Sequence, residues 1–488
     1  MRTAFVSSCA LALSLLAGPA QAQLKPAELS EAEVASLAAD LDGLLSNKAL
    51  KDVRVGVHVL DLATGKALYG RKPDAKLNPA SNAKIITAAA ALDRFGPSHT
   101  FKTELWGGKP AAGVLEGDVA LVGGGDPFLL WGDLLEMADR ARRKGIKVVK
   151  GDLVVVDAVF DDQFMPPAYD QKSEEAAYRA PVGGVSVEFS AMTIIIMPGK
   201  EGQAPSVSFE PPSTYAIVDN KATTVSTAKE AAREPLSVKL VKEGERTRVV
   251  LRGKTHKGAS LRKRVDGPSV YAGHTMKEAL RAVGIEVEGK VRRGELPEGL
   301  RLLARHQSPT MTYLVLSMQK WSNNFMAESL FKALDIGESP ATWAGAQGHT
   351  RRFLAGAGLA EGSYTLTNGS GLYDANALSA AQFTRLMAYM YGRHDLWPDF
   401  ETSFAVAGVD GTLGRRMRGT GAHRVLRGKT GTLAQVITLT GVTRARDGRP
   451  IAFSILFNDA KGAAWTYRKI QDEIGARLTR LGVSRAKD

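Results

Sequence analysis

The spacing of apolar residues changes along the chain, and each change predicts a different kind of element. Apolar positions recur at helical spacing from Leu29 to Leu45, which predicts a helix. The stretch VRVGVHVLDLATGKALYG alternates apolar and polar positions on both sides of Ala63-Thr64-Gly65, which predicts two strands joined by a turn. NPASNAKIITAAAAL, from Asn78 to Leu92, then predicts a helix that is nearly uncharged and buried.

Residues 100–289 contain mainly short strand-like runs, such as GDVALVGGG, GDLVVVD and RTRVVLRG, separated by Gly, Pro, Asp and Lys. Helical spacing returns in TMTYLVLSMQKWSNNFMAESLFKALD, and strand-like runs return in KTGTLAQVITLTGVT and PIAFSILFNDA. A sheet that begins before the strand-rich stretch and ends after it indicates an insertion into one domain. We predict an α/β (α+β) domain made of residues 23–99 and 290–488, interrupted by two β-rich domains in residues 100–289.

The first 22 residues have the pattern of a secretory signal peptide. Arg2 precedes an apolar stretch that ends near Ala17, and Ala20-Gln21-Ala22 fits a cleavage site between small residues. The alternative is a membrane anchor, but the apolar stretch falls short of the roughly 20 residues that a spanning helix needs. The only cysteine, Cys9, lies in this segment, so the mature chain has neither a disulfide nor a thiol nucleophile. We predict secretion to a periplasmic or other extracytoplasmic location.

The formal net charge is +13, and removal of Arg2 with the signal peptide leaves +12. A basic exported protein is suited to peripheral association with an anionic cell wall or with lipid headgroups, the alternative being a merely solvated basic face. No basic stripe is interleaved with aromatic residues, so we predict no nucleic-acid partner.

Ser81 and Lys84 are spaced to share one face of the predicted buried helix. A serine hydroxyl needs a base to become a nucleophile, and lysine serves as that base when burial lowers its pKa. The spacing alone is weak support, because S-x-x-K occurs five more times, for example at Ser329 and Lys332. Ser81 could instead cap the helix.

Two further polar motifs follow. In WSNNFMAESL, the Ser322 hydroxyl and the Asn324 carboxamide are suited to relay a proton and to hold a substrate amide. In RGKTGTL, Lys429 lies at the start of a predicted strand. A cation and hydroxyls at a strand edge can bind the terminal carboxylate of a substrate, and the strand can pair with the substrate backbone. Gly431 would let that substrate backbone come close. For each motif taken singly, a polar turn is the alternative.

The order S-x-x-K, S-x-N, K-T-G is typical of penicillin-binding proteins and β-lactamases. The G-x-S-x-G and H-E-x-x-H motifs are absent from the sequence, and none of the eight histidines sits beside the three motifs. The chain resembles the D-alanyl-D-alanine carboxypeptidases of the S13 peptidase family, which are class C low-molecular-mass penicillin-binding proteins. The likeness extends to GDVALVGGGDPFL, GDLVVVDAVFD, YRAPVGGVSVE, NGSGL and GVDGTLGRRM, and so covers nearly the whole mature chain.

The resemblance implies a penicilloyl-serine transferase (β-lactamase-like) fold and a serine DD-peptidase that hydrolyses D-Ala-D-Ala ends of peptidoglycan peptides, with endopeptidase action on cross-links as a further activity. It implies that Ser81 forms the acyl-enzyme, that Lys84 takes its proton, and that Ser322 with Lys429 returns a proton to the leaving D-alanine. β-Lactam antibiotics would be covalent inhibitors. No cofactor and no metal is implied.

The resemblance also assigns residues to substrate binding. Asn324 would hold the substrate amide, Thr430 and Thr432 would bind the terminal carboxylate, and the backbone amides of Ser81 and Thr432 would form the oxyanion hole. Water would then release the acyl group.

The chain departs from the family at two places. It has Asn323 where the family often has aspartate between the serine and the asparagine. It also has Tyr373 and Asp374 where the family commonly has Ser-Arg, and that arginine binds the charged end of a substrate side chain. The exchange leaves the side-chain specificity open, and a side chain with a cationic or amidated end becomes compatible with the site. Asp157 is a further candidate for lining the same pocket.

Two alternatives remain at this point. One is a β-lactamase or esterase on the same fold, and the other is a non-catalytic scaffold that binds the cell wall. The sequence decides neither the oligomeric state nor the balance between carboxypeptidase and endopeptidase action.

Overall fold

The computed structural model of the protein describes residues 28–337 and 339–482. The predicted signal peptide lies outside these residues. Within them, no helix has both the length and the apolar character needed to cross a membrane.

The first part of the chain is a strand hairpin between two helices. Ser30 begins the first helix: its Oγ accepts a hydrogen bond from the Glu33 N–H at 3.3 Å, and Glu33 Oε2 accepts one from the Ser30 N–H at 2.9 Å. The elements are α1 (Glu31–Leu45), β1 (Arg54–Asp61), β2 (Ala67–Arg71) and α2 (Ala83–Phe95), with 3₁₀ turns at Lys48–Leu50 and Ala80–Asn82.

The next stretch contains most of the strands. They are β3 (Lys102–Gly107), β4 (Val114–Leu115), β5 (Val119–Gly123), β6 (Val148–Val149), β7 (Leu153–Val156), β8 (Ala191–Met197), β9 (Ser206–Glu210), β10 (Ala216–Asn220), β11 (Thr223–Thr224), β12 (Ser237–Glu243), β13 (Arg246–Arg252), β14 (Lys254–Thr255), β15 (Ala259–Arg264), β16 (Glu286–Val287), β17 (Val291–Arg293) and β18 (Arg301–Gln307). The helices are α3 (Trp131–Arg143), α4 (Ala228–Arg233) and α5 (Pro268–Ala282), and short 3₁₀ turns occur at Tyr169–Gln171, Ala177–Arg179 and Glu188–Ser190.

The last part is mainly helical until its final strands. Its helices are α6 (Met311–Trp321), α7 (Asn324–Ala333), α8 (Trp343–Gly356), α9 (Ala380–Gly392), α10 (Trp397–Thr402) and α11 (Ala464–Leu478). Its strands are β19 (Thr365–Leu366), β20 (Asn376–Ala377), β21 (Ala405–Val406), β22 (Arg427–Leu433), β23 (Val436–Arg444) and β24 (Pro450–Asn458), with a 3₁₀ turn at Gly411–Leu413.

A six-stranded antiparallel sheet, in the order β2-β1-β24-β23-β22-β21, combines residues from both sides of the predicted insertion. β1 pairs with β24 from Arg54 opposite Asn458 to Asp61 opposite Ile451. Helices α1 and α11 pack on one face, and α2 with α6 to α10 form the layer on the other. Every residue of β24 is buried, which explains why its sequence has runs of apolar residues rather than a strict alternation.

The inserted region is longer than the sequence predicts. Its five-stranded sheet has the order β17-β7-β5-β3-β18, so strand pairing continues to Gln307 rather than ending at residue 289. The reason is that β17 pairs with β7 and β18 pairs with β3, and neither pairing can be read from local spacing. The other sheets of the region are β16-β6-β4, β15-β8-β9, β10-β13-β12 and β11-β14.

The inserted region is rich in strands, as predicted, and it also contains two longer helices. Helices α3 and α5 pack against each other and against the five-stranded sheet, which makes this part of the insertion mixed. In α3 the buried residues are spaced i, i+3, i+4 and i+7, the period of an amphipathic helix, namely Leu134, Met137, Ala138 and Ala141. One hydrophobic cluster continues from this part into the sheets formed by β8 and β13.

Helix α2 lies at the centre of the other layer. Its residues from Ala83 to Leu92 are all buried, and it packs against α6 and α7. The alanine side chains allow these neighbouring helices to approach closely. A lysine in the first turn of such a helix, Lys84, is therefore held out of water by the fold itself.

Candidate active site

Ser81 lies in the 3₁₀ turn that precedes α2, not in the helix proper. The turn is held against the sheet, because the Thr438 hydroxyl donates a hydrogen bond to the Pro79 carbonyl at 2.9 Å. Asn82 occupies the cap position of α2, and no side-chain hydrogen bond caps the helix there. The interpretation of Ser81 as a helix cap is therefore wrong, and its hydroxyl is directed elsewhere.

The Ser81 hydroxyl contacts Lys84. Lys84 Nζ lies 3.0 Å from Ser81 Oγ, 2.7 Å from Asn324 Oδ1 and 2.7 Å from the Ser370 carbonyl oxygen. Burial lowers the pKa of Lys84 to about 7, against an opposing effect of the negative charge on Glu328. The amine therefore has the pKa that a base needs near neutral pH.

The second motif occupies a sharp junction between two helices. Ser322 ends α6 in a left-handed conformation, with φ of 55°. Asn323 caps α7, since its Oδ1 accepts a hydrogen bond from the Met326 N–H at 3.0 Å. Aspartate is an equally good cap, so Asn323 can cap the helix as an aspartate would. The junction directs Ser322 towards Lys429 and Asn324 towards Lys84.

The third motif lies on β22. Lys429 Nζ donates hydrogen bonds to Ser322 Oγ at 2.9 Å and to the Thr430 carbonyl at 2.8 Å. Lys429 is fully buried, and burial together with the nearby charge of Lys84 holds its pKa well below the usual range. The three predicted motifs thus meet at one place, with two buried amines facing two serine hydroxyls.

Thr430 and Thr432 lie on the same strand. The Thr430 hydroxyl donates to Thr412 Oγ1 at 2.8 Å, and Thr432 Oγ1 accepts a hydrogen bond from the Arg468 guanidinium at 3.2 Å. The Thr432 hydroxyl proton is therefore free to be donated to a ligand, whereas the Thr430 hydroxyl donates to a ligand only after it releases Thr412.

Gly431 is required for a reason that the sequence does not reveal. A Cβ atom at this position would lie 2.1 Å from Thr438 Oγ1 and 2.9 Å from the Pro79 carbonyl oxygen. Any larger residue would push β22 away from the turn that carries Ser81. The glycine therefore keeps Lys429 and Ser81 close, whereas the sequence analysis assigned it to substrate approach.

Sequence reasoning missed a buried carboxylate beneath the site. Glu328 is fully buried in α7, and burial raises its pKa against the effect of its hydrogen bonds. It accepts hydrogen bonds from the N–H groups of Gly369 and Ser370 at 3.1 and 2.8 Å, which fixes the loop whose Ser370 carbonyl contacts Lys84. The sequence does contain an indication of this role. Glu328 follows Asn324 by four residues, so the two side chains share one face of a helix.

Two cavities meet at this cluster and share Ser81, Ser322 and Thr432. The larger has a volume of about 870 Å³ and is lined also by Asn324 and by the segment 371–374. The smaller, of about 440 Å³, is lined also by Thr430 and Gly431. A substrate that extends from one cavity into the other would place its central bond beside Ser81.

Tyr373 and Asp374 both line the larger cavity. Tyr373 packs edge-on against Tyr169, with ring centroids 6.1 Å apart. Asp374 is exposed, and its Oδ1 accepts a hydrogen bond from Asn78 Nδ2 at 2.9 Å.

Asp157 is not brought together with the other predicted residues. It is buried at the end of β7, where its carboxylate accepts hydrogen bonds from Arg293 at 2.9 and 3.1 Å. It lines neither of the two cavities. Its position is explained by the ion pair, which neutralises a carboxylate that would otherwise be buried without a partner. In the part of the chain that the structure describes, no group of three or more His, Cys, Asp or Glu residues is placed to hold a metal ion.

Known proteins are similar to this chain over most of its length. The model of the D-Ala-D-Ala carboxypeptidase 3 (S13) family matches residues 37–481. A D-alanyl-D-alanine carboxypeptidase of Actinomadura sp. strain R39 is 33% identical over 97% of this chain and 89% of its own. D-alanyl-D-alanine carboxypeptidase DacB of Haemophilus influenzae is 28% identical over 78% of this chain and 80% of its own.

Solved structures give the same result for the fold. The crystal structure of penicillin binding protein 4 (dacB) from Haemophilus influenzae superposes with a TM-score of 0.76, at 23% identity, over 90% of this chain and 99% of that one. A second crystal structure of the same protein, complexed with a β-lactam, has a TM-score of 0.71 at 24% identity, over 89% of this chain and 98% of that one. The predicted α/β (α+β) penicilloyl-serine transferase fold is confirmed.

Proposed function

Since the chain belongs to the D-Ala-D-Ala carboxypeptidase 3 (S13) family and is therefore a serine DD-peptidase, we propose that Ser81 is its nucleophile and that Lys84 is the base. The substrates are peptidoglycan peptides that end in D-Ala-D-Ala, and β-lactams acylate the same serine. The observation that carries the assignment is the 3.0 Å contact between the Ser81 hydroxyl and a buried amine.

The hydrogen bonds around Lys84 fit a neutral amine. A neutral amine has two N–H donors and one lone pair. The donors match the two oxygen acceptors, Asn324 Oδ1 and the Ser370 carbonyl, each at 2.7 Å. The lone pair then faces the third neighbour, the Ser81 hydroxyl, and accepts its proton as Ser81 attacks the substrate carbonyl.

The charges of the buried groups favour a neutral form for one of the two buried amines. Two buried amines, on Lys84 and Lys429, lie near one buried carboxylate, on Glu328. One carboxylate balances one positive charge, and a second uncompensated cation would be costly in a buried site. The cluster therefore holds one amine neutral in the resting enzyme, and the two neutral acceptors of Lys84 assign that state to Lys84.

The proton returns to the leaving group through the other pair. Ser322 Oγ accepts a hydrogen bond from Lys429, so its own hydroxyl proton is free to be passed to the departing amine of D-alanine while Lys429 supplies a replacement. Thr430 and Thr432 bind the terminal carboxylate of that D-alanine. Lys84 then releases the proton of Ser81 to solvent, from which Lys429 regains one. The neutral Lys84 amine accepts a proton from the water that hydrolyses the ester and passes it to the Ser81 oxygen, which restores the hydroxyl.

Two further contacts position the scissile bond. One N–H of the Asn324 carboxamide donates to the Tyr178 carbonyl at 3.0 Å, and its second N–H is available to a substrate carbonyl. The backbone N–H groups of Ser81 and Thr432 form the oxyanion hole, where each donor contributes about 3 to 4 kcal/mol of transition-state stabilisation.

The larger cavity takes the acyl side of the substrate, and Asp374 stands at its wall where relatives commonly carry arginine. An exposed carboxylate attracts a cation and repels a carboxylate. We therefore assign to this enzyme a substrate side chain with a cationic or amidated end. Replacement Asp374→Arg should raise kcat/KM for a side chain with a free carboxylate relative to its amide, measured on a matched pair of peptides. An unchanged ratio would contradict the assignment.

The site of action is proposed to be outside the cytoplasmic membrane. The N-terminal sequence and the substrate both require export, and the charge of +12 on the mature chain favours contact with an anionic wall or membrane surface.

The nucleophile is tested by incubating the mature protein with a fluorescent penicillin and locating the label by peptide mass. Ser329→Ala is the matched control, because Ser329 is buried and is also followed by a lysine three residues later. We expect a stable label on Ser81 in the wild type and in Ser329→Ala, and none in Ser81→Ala. Rapid turnover of penicillin would favour a β-lactamase instead, and absence of both label and turnover would favour a non-catalytic scaffold.

A further inference from the structure

The smaller cavity has features that the removal of a terminal D-alanine does not explain. Its volume of about 440 Å³ is far more than a methyl side chain needs. It begins at Ser81 and Ser322 and continues past Thr430 and Thr432, the side from which the leaving group departs in the proposed mechanism.

Three arginines line this cavity, and no acidic residue does. Arg415 and Arg416 follow the 3₁₀ turn at Gly411–Leu413, and Arg468 comes from α11. The fold thus brings together cations that are distant in sequence, on the leaving side of the strand that carries the K-T-G motif.

The positive charge of this group is only partly balanced. Arg416 donates hydrogen bonds to Asp472 Oδ1 at 2.6 and 2.9 Å. Burial and the nearby charge of Arg468 lower the pKa of Arg416, although Asp472 opposes both effects. Three guanidinium groups therefore face one carboxylate, and the cavity retains an excess of positive charge.

The three arginines differ in the hydrogen-bond partners that their side chains already have. Arg416 is anchored by Asp472, and Arg468 donates to Thr432 Oγ1 at 3.2 Å, so it also supports a carboxylate-binding residue. Arg415 is exposed and makes no hydrogen bond or ion pair with any residue from 28 to 337 or from 339 to 482. It is the arginine most available to a ligand.

We propose that this cavity is a subsite for the leaving group and that its arginines, Arg415 foremost, bind a second carboxylate carried by that group. The inference rests on the proposed function, since it takes the direction of the leaving group from the roles of Ser81 and Thr432. The α-carboxylate of the leaving residue lies on the threonine hydroxyls, and a side-chain carboxylate such as that of D-glutamate extends from there to the arginines. The bond that is cleaved and the proton transfers are those already described.

Three peptides test the subsite, identical except for a final D-alanine, D-glutamate or D-glutamine. D-Glutamine has the shape of D-glutamate without its charge, so the ratio of kcat/KM for D-glutamate to D-glutamine isolates the effect of the second carboxylate. The ratio is measured for the wild type and for Arg415→Gln. The matched control is Arg418→Gln, since Arg418 is an exposed arginine of the same segment that lies outside the cavity and donates to the Gly414 carbonyl.

We expect the wild type to prefer D-glutamate over D-glutamine, and Arg415→Gln to lower that ratio about tenfold, the effect of losing one hydrogen bond to a charged group. Arg418→Gln should leave the ratio unchanged, and added salt should reduce the preference in the wild type.

The subsite is disproved if the wild type shows no preference for D-glutamate, or if Arg415→Gln lowers kcat/KM equally for both peptides. Penicillin labelling of each protein separates this failure from failure of the proposed function. If the proteins label at Ser81 and cleave the D-alanine peptide, only the subsite is overturned. If they do neither, both proposals fall.

Discussion

Two buried lysines, each three residues after a serine, show how one sequence spacing produces different chemistry. Lys84 follows Ser81 at the start of α2, and Lys332 follows Ser329 in α7. Both lysines have 0% relative exposure, and burial lowers the pKa of both side chains. Spacing and burial therefore do not distinguish a base from a structural cation.

The difference lies in the acceptors around each amine. Lys332 Nζ donates to three oxygens, Asp161 Oδ1 at 2.6 Å, the Asp161 carbonyl at 3.3 Å and the Gln163 carbonyl at 2.9 Å. Three acceptors, one of them a carboxylate, satisfy a charged ammonium group. Lys84 has two neutral acceptors, and its third neighbour is the hydroxyl of Ser81. The number and charge of the acceptors thus decide whether a buried lysine stays protonated.

The largest effect is expected at Lys84. Replacement Lys84→Met removes the base while keeping an unbranched side chain in the buried position, so the rate of acylation by penicillin should fall at least about 10³-fold. Cooperative unfolding in denaturant serves as the control for folding. If the variant folds and its acylation rate is within tenfold of the wild-type rate, Lys84 is not the base.

The next largest effect is expected at Ser322, which connects Lys429 to the leaving group. Ser322→Ala should lower kcat/KM for a D-Ala-D-Ala peptide about 10²-fold, because the proton has no relay to the departing amine. Ser317→Ala is the matched control, since Ser317 is a buried serine on the preceding helix that lines neither cavity. Equal activity of the two variants would contradict the relay.

Lys332 should show the opposite behaviour. Lys332→Met leaves Asp161 without its cation, so the free energy of unfolding should fall by about 2 kcal/mol. The value of kcat/KM should stay within about threefold of the wild type, because neither cavity includes Lys332. Denaturant unfolding and peptide hydrolysis measure the two quantities. Loss of activity without loss of stability would contradict the assignment of a structural role to Lys332 and a catalytic role to Lys84.

The smallest effect is a shift in pH dependence. The negative charge of Glu328 raises the pKa of Lys84, so Glu328→Gln should lower that pKa further. Lys84 would then remain neutral to lower pH, and the acid limb of kcat/KM should move down by up to about one pH unit. A merely structural role of Glu328 would lower the rate at all pH values without moving the limb.

The three motifs could be predicted from the sequence because their order is far more specific than any one of them. In the structure Ser81 contacts Lys84 and Ser322 contacts Lys429. Glu328 was missed because a single acidic residue on a helix is usually exposed, and only the packing of the 369–370 loop over α7 buries it.

Features that depend on distant pairing could not be predicted. The edge of the inserted region depends on strands β17 and β18, which pair with strands more than 130 residues earlier. Asp157 ends a strand in the same segment as predicted, but its partner is Arg293, on β17. The reason for Gly431 likewise lies in Pro79 and Thr438, one of which is remote in sequence.

The most direct test of the central claim, that Lys84 is the neutral base for Ser81, is the second-order rate constant of acylation by a chromogenic cephalosporin from about pH 5 to about pH 9, measured by stopped flow. The fraction of neutral amine rises with pH through its pKa. The predicted result is a rate constant that increases with a midpoint near pH 7 and then levels off. A rate constant that does not change over this range, or that begins to rise only near pH 9, would contradict the claim.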